Sequence, residues 1–124
     1  MAIFGSSSNP LGSVLCPLVP ALVAGNAVII KPSSRYPKVA TALKLFLKEY
    51  LDTRLYSVAD NTIETGIKLS QEKLDLIYFT GREATAKLIS KEASTQLTPL
   101  VLQTEGRLVA VIDSCSNMTV AVNK

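Results

Sequence analysis

Ala27-Val28-Ile29-Ile30 is apolar at every position and is closed by Lys31 and Pro32. A strand with one wet face would alternate apolar and polar residues. A continuous run of this length therefore reads as a strand covered on both faces, as in a parallel sheet. Similar runs stand at residues 2–4, before Gly5, and at 76–79, before Thr80-Gly81. Helix-length segments separate them. Leu11 to Ala24 is apolar on nearly every face and ends at Gly25-Asn26, so it reads as a buried helix. Pro37 opens a second helix, in which Val39, Leu43, Phe46, Leu47 and Tyr50 recur at helical spacing. Further helices are expected at 63–69 and 83–94, and further strands at 55–58, 100–102 and 108–112. This alternation predicts a single α/β domain: a Rossmann-like, mainly parallel sheet with helices on both faces.

The apolar stretch from Val14 to Ile30 is broken by Pro17, Pro20, Gly25 and Asn26, so it reads as two buried elements and no membrane span is expected. Met1 to Ser8 carries no charge, unlike the start of a signal peptide. The net charge of +3 comes from scattered Lys and Arg residues, with no basic run interleaved with aromatics, which argues against nucleic-acid binding. The chain has no histidine, and its two cysteines, Cys16 and Cys115, lie far apart, excluding the usual zinc spacings and any Cys/His catalytic pair. Both thiols are expected to be buried, in a reducing intracellular compartment. Cys16 in particular reads as a small core residue.

Four segments in collinear order carry a resemblance. They are Gly5 to Pro10 with the following PLVPALVAGN, then AVIIKPSS, YFTG and LTPLVLQTEGR. Together they resemble the aldehyde dehydrogenases, whose versions read roughly GTWNYP, AVVLKPSE, YTGSxxVGK and LTPVTLELGGK. The linking piece KEYLDTRLY is similar to the class 3, or fatty-aldehyde, branch. The resemblance implies that residues 1–124 form a truncated NAD(P)-binding domain, with the catalytic domain and oligomerisation arm absent.

Position by position, the resemblance is uneven. Lys31 falls on the lysine that binds the adenosine ribose; a solvated strand-end lysine is the competing reading. The glutamate that would hold the ribose hydroxyls is Ser34 here, with Arg35 beside it, so NADP is expected to be at least as acceptable as NAD. Gly81 and Arg82 occupy the start of the pyrophosphate turn. Arg82 could pair with phosphate, but Glu83 would repel it, and ordinary helix initiation competes. Binding of NAD or NADP is therefore expected to be weak or lost.

No catalytic residue is carried over intact. Ser8 stands where the family has the asparagine that stabilises the oxyanion; Asn9 is adjacent, and capping of the next helix by Ser6 to Asn9 is the competing reading. Gln103 stands at the general-base glutamate, and an amide cannot take the proton. Glu105 is two residues away and reads as a solvated loop carboxylate. Cys115 matches a non-catalytic position, and the family's nucleophile falls beyond the end of the sequence.

The expectation is an inactive relative serving as a binding or structural component of a larger assembly. Other protein chains, or further copies of this one, would associate through an exposed sheet edge. The alternatives are one piece of an active NAD(P)-dependent aldehyde oxidoreductase, completed by another chain, and a truncated product without a function.

Overall fold

A computed structural model of the chain describes residues 1–104, 106, 109, 111–113 and 117–122, the last two by their backbone alone. The elements run β1 (Ala2–Phe4), α1 (Gly12–Val23), β2 (Val28–Lys31), α2 (Pro37–Tyr50), β3 (Tyr56–Val58), α3 (Ile63–Gln71), β4 (Ile77–Gly81), α4 (Glu83–Ser94), β5 (Leu100–Thr104) and α5 (Met118–Val122). The five strands form one sheet in the order β3-β2-β1-β4-β5, and every pairing is parallel. The expected alternation of strand and helix is thus present, and α4 has the bounds read from the sequence.

Strand alternation divides the core in two. Ile3, Val28 and Ile30 point to the side of α1 and α2, where they meet Val14, Leu18, Ala21, Leu43 and Leu47. Ala2, Phe4, Ile77 and Phe79 point to the side of α3 and α4, against Leu69, Ala86, Ile89 and Ala93. Because successive strand residues face opposite sides, both must be apolar, which is why these strands read as unbroken runs.

Local signals fix the helix ends. Gly25 takes φ +81° after α1. Its N–H bonds to the Leu22 carbonyl, and the Asn26 N–H bonds to the Ala21 carbonyl. This is the paired C-terminal closure that a left-handed residue permits. At α3, the Thr62 hydroxyl accepts the Thr65 N–H at 3.1 Å. α4 closes in the same way as α1, but with Leu97 at φ 53° where glycine would be unstrained.

Three expectations need correction. First, α1 is not buried all round: Val14, Leu18 and Ala21 form one stripe, while Val19, Val23 and Cys16 are exposed. The stripe follows the helical period, and Cys16 falls off it, so this thiol is not a core residue. The helix runs through Pro17 and Pro20. Each interior proline costs about 3 kcal/mol relative to alanine, so tertiary packing of the stripe holds this helix. Second, Leu43 and Leu47 are the core of α2, whereas Phe46 and Tyr50 lie outside and stack on each other at 4.9 Å between ring centres. Third, Val109, Val111 and Ile112 belong to no strand, and β5 is the edge of the sheet. Leu108 and Ala110 of that expected strand lie outside the described residues, as do Glu105 and Cys115.

Among the described residues, no helix is long and apolar enough to cross a membrane.

Candidate functional site

In a sheet of this order, the chain enters at β1, winds outward to β3, and returns through β4 to the other side of β1. The connections leaving β1 and β4 diverge to opposite faces and open a crevice at the carboxyl ends of the strands. A cavity of about 580 Å³ lies at that point. Its floor is Phe4, Gly5 and Ser6 from the end of β1. Its rim is Lys31, Ser33, Ser34 and Arg35 from the end of β2 and Phe79 to Arg82 from the end of β4. Helices α3 and α4 wall it with Ile63, Gly66, Ile67, Ser70, Thr85, Leu88 and Ile89. The volume suits a ligand of cofactor size.

Small residues make the space. A side chain at Gly66 would place its first carbon 3.3 Å from Cε of Lys31 and 3.6 Å from Cε1 of Phe4. One at Gly81 would fall 2.9 Å from Cζ of Phe79. Both glycines therefore let neighbouring groups approach where any other residue would intrude. Ser70 is fully buried, and its hydroxyl is spent on the Ile67 carbonyl at 2.7 Å.

Lys31 is the one buried charged residue of the rim, with 8% of its surface exposed. Its stem lies along Gly66, and its ammonium, only partly enclosed, donates a long 3.5 Å bond to the Asn61 carbonyl. No carboxylate is paired with it, and burial pushes its pKa below the usual lysine range. Arg35 and Arg82 are exposed. Among the described residues the ion pairs are Arg54–Asp52 and Lys87–Glu83, so neither rim arginine is paired with a carboxylate. Glu83, expected to oppose a phosphate beside Arg82, is held at 2.7 Å by Lys87 one turn along α4, and that ammonium keeps its carboxyl below the usual range.

The four residues expected to meet a cofactor, Lys31, Ser34, Gly81 and Arg82, thus converge on one cavity. The two positions matched to catalytic residues lie elsewhere. Gln103 sits opposite Thr80 in the sheet, and its side-chain oxygen accepts from the Tyr78 hydroxyl at 2.9 Å and the Thr80 hydroxyl at 3.3 Å. Tyr78 packs toward the α1/α2 face, away from the cavity. Ser8 is exposed and bonds to Ser6, with 2.7 Å between hydroxyl oxygens. Asn9 accepts the Gly12 N–H at 2.9 Å at the entry to α1. Sequence reading missed Gly66, Ile67 and Ser70. Gly66 inside an amphipathic helix was the available signal, because an interior glycine costs about 1 kcal/mol relative to alanine and needs a packing reason.

A doubly wound parallel domain with a cleft at its strand-order reversal is the class that fold and site define. Within that class, a sequence model of the Aldehyde dehydrogenase family matches residues 6–124, and the chain belongs to that family. It is 34% identical over 122 residues to aldehyde dehydrogenase family 3 member A2 of Pongo abelii, covering 98% of this chain and 25% of that protein. It is also 34% identical to the dimeric NADP-preferring aldehyde dehydrogenase of Canis lupus familiaris, covering 98% and 27%. The chain thus spans about a quarter of the length of these relatives. Among solved structures, the substrate-bound state of Staphylococcus aureus AldH superposes with a TM-score of 0.80 at 34% identity, covering 86% of this chain and 23% of that one. A Mycobacterium tuberculosis aldehyde dehydrogenase complexed with NAD+ gives 0.72 at 30% identity, covering 86% and 23%.

Proposed function

We propose that this chain is a dinucleotide-binding domain of aldehyde dehydrogenase type that holds NAD(P) weakly and does not itself oxidise aldehydes, serving instead as a binding or structural component of a larger assembly. The convergence of Lys31, Ser34, Gly81 and Arg82 on one cleft, at the reversal of strand order, carries this reading. The residues present fit such a group. Gly66 and Gly81 leave room for it, Lys31 and Arg82 offer cations, and Ile63, Ile67 and Leu88 offer an apolar wall. When bound, the nicotinamide would supply a hydride acceptor. The chain's own part is to bind and orient it.

The chemistry beyond binding finds no support in Gln103. Its amide has no basic site, and its oxygen is already committed to Tyr78 and Thr80. An assembly role rests on β5, an edge strand whose Val101 and Leu102 are exposed and whose outer backbone groups could pair with another strand. The alternative, an active aldehyde oxidoreductase completed by another chain, is favoured by the fraction of the family's length present here.

One preparation tests both halves. Calorimetry should show binding of NADP no tighter than about 1 mM, or roughly 4 kcal/mol, and Lys31→Ala should remove it. The same protein should form no reduced dinucleotide from medium- or long-chain aldehydes. Turnover above a blank would overturn the inactive reading, and nucleotide binding indifferent to Lys31→Ala would overturn the site.

A further inference from the structure

The end of β2 decides which dinucleotide a fold of this class accepts. A carboxylate there hydrogen-bonds the ribose 2′-hydroxyl and repels a 2′-phosphate, whereas an arginine accommodates the phosphate. In this chain the segment leaving β2 reads Lys31-Pro32-Ser33-Ser34-Arg35, with two cations and no acid. All of it except Pro32 lines the cavity.

The charge of the whole cavity points the same way. Lys31, Arg35 and Arg82 face a single carboxylate, Glu92 on α4, and that carboxylate already accepts the Gln71 amide at 2.7 Å. The chain's acids near the rim are otherwise engaged, since Glu83 is paired with Lys87. Arg35 is held at the mouth by its backbone, whose N–H donates to the Ser33 hydroxyl at 3.4 Å. Its side chain is exposed and unpaired with any acid among the described residues, so its planar fork can close on a phosphate two oxygens at a time.

We propose that this cavity selects the 2′-phosphorylated dinucleotide over the unphosphorylated one, with Arg35 as the residue that makes the choice. The proposal rests on the dinucleotide reading above and goes beyond it by naming the ligand's distinguishing group and its partner. Lys31 serves both ligands, because its ammonium is anchored toward the Asn61 carbonyl deeper in the cleft. Arg82 stands on β4's side of the cavity and contributes to phosphate binding without distinguishing the two.

The test is a titration of the full chain at low salt, followed by amide chemical shifts, which report millimolar binding. Four probes are compared: NADP against NAD, and adenosine 2′,5′-bisphosphate against adenosine 5′-monophosphate. In each pair the 2′-phosphorylated member should bind about tenfold tighter, a difference of about 1.4 kcal/mol. Added salt should shrink that preference, since the contact is exposed. Arg35→Ala should bring each pair to within about twofold, and Arg35→Lys should retain part of the preference as a point charge without the fork. Arg82→Ala should weaken both members of each pair alike. Equal binding within the pairs would overturn the selectivity while leaving the dinucleotide site standing. A preference that survives Arg35→Ala, or one that Arg82→Ala abolishes, would overturn the assignment to Arg35. Failure of all four probes to bind would remove the dinucleotide reading itself, and this inference with it.

Discussion

On the α1/α2 side of the sheet, Ile3, Val14, Leu18, Val28, Ile30, Leu43 and Leu47 are buried almost without remainder; on the α3/α4 side, the same strands look onto a cavity of about 580 Å³. The strands do not cause the difference, since each sends apolar residues both ways. The helices do. α1 and α2 offer leucines to the sheet, while α3 and α4 offer Gly66, Ser70 and Ala86 at positions that face it. One face is built for stability and the other keeps room, so equivalent changes on the two sides should have unequal effects.

The largest such effect is expected from truncation. Leu47, 1% exposed, has no space beside it to absorb a void, so Leu47→Ala should cost about 3–4 kcal/mol. Ile89 is almost as buried but borders the cavity. Its truncation extends a space that exists already, so Ile89→Ala should cost only about 2 kcal/mol, mostly the lost transfer of the side chain. Urea unfolding of the two variants measures the gap. Equal costs would mean that the α3/α4 face is as tightly packed as its opposite.

A smaller effect concerns Lys31, the charge on the open side. Burial lowers its pKa below the 10.5 of a solvated lysine. The unfolded chain therefore holds the proton more firmly, and between the two pKa values stability rises with pH. The penalty is complete below the folded pKa and fades as pH climbs toward 10.5. Lys31→Met should accordingly stabilise the fold by about 1 kcal/mol at neutral pH, an advantage that shrinks in alkali. Thermal melts across that range decide it. An advantage independent of pH would show that the ammonium is well solvated at the cavity wall.

The sequence made the closed face easier to read than the open one. Unbroken apolar runs identified the parallel strands, because covering both faces removes polar alternation. Helix α4 was delimited in full by Gly81 and the charged first turn. Residues at strand ends were legible too: Lys31, Ser34, Gly81 and Arg82 reach the cavity because parallel strands deliver their carboxyl ends to one side of the sheet. The helix walls were not legible. Which face of α3 meets the sheet depends on packing, and Gly66 and Ser70 carry no chemistry that marks them in advance. Likewise, nothing local distinguishes Phe46 from Leu47; their fates follow from where α2 rests on the sheet.

Gly66 gives the smallest expected effect and the sharpest test of why the open face is open. In the interior of α3, glycine is less favourable than alanine by about 1 kcal/mol. Against that gain stands the new methyl group, 3.3 Å from Cε of Lys31. The contact is with the far end of a flexible side chain, which can yield by a few tenths of an ångström. Gly66→Ala should therefore stabilise the chain by about 0.5 kcal/mol, part of the propensity gain surviving the contact. It should also push the Lys31 ammonium from its seat and raise the cavity wall, lowering nucleotide affinity severalfold. Both quantities come from one protein, by urea unfolding and by titration with NADP. A gain in stability with a loss of binding would mean that the space is kept for a ligand at a cost to the fold. A destabilisation above about 1 kcal/mol would mean instead that Lys31 is held rigidly and that the glycine is there for packing alone.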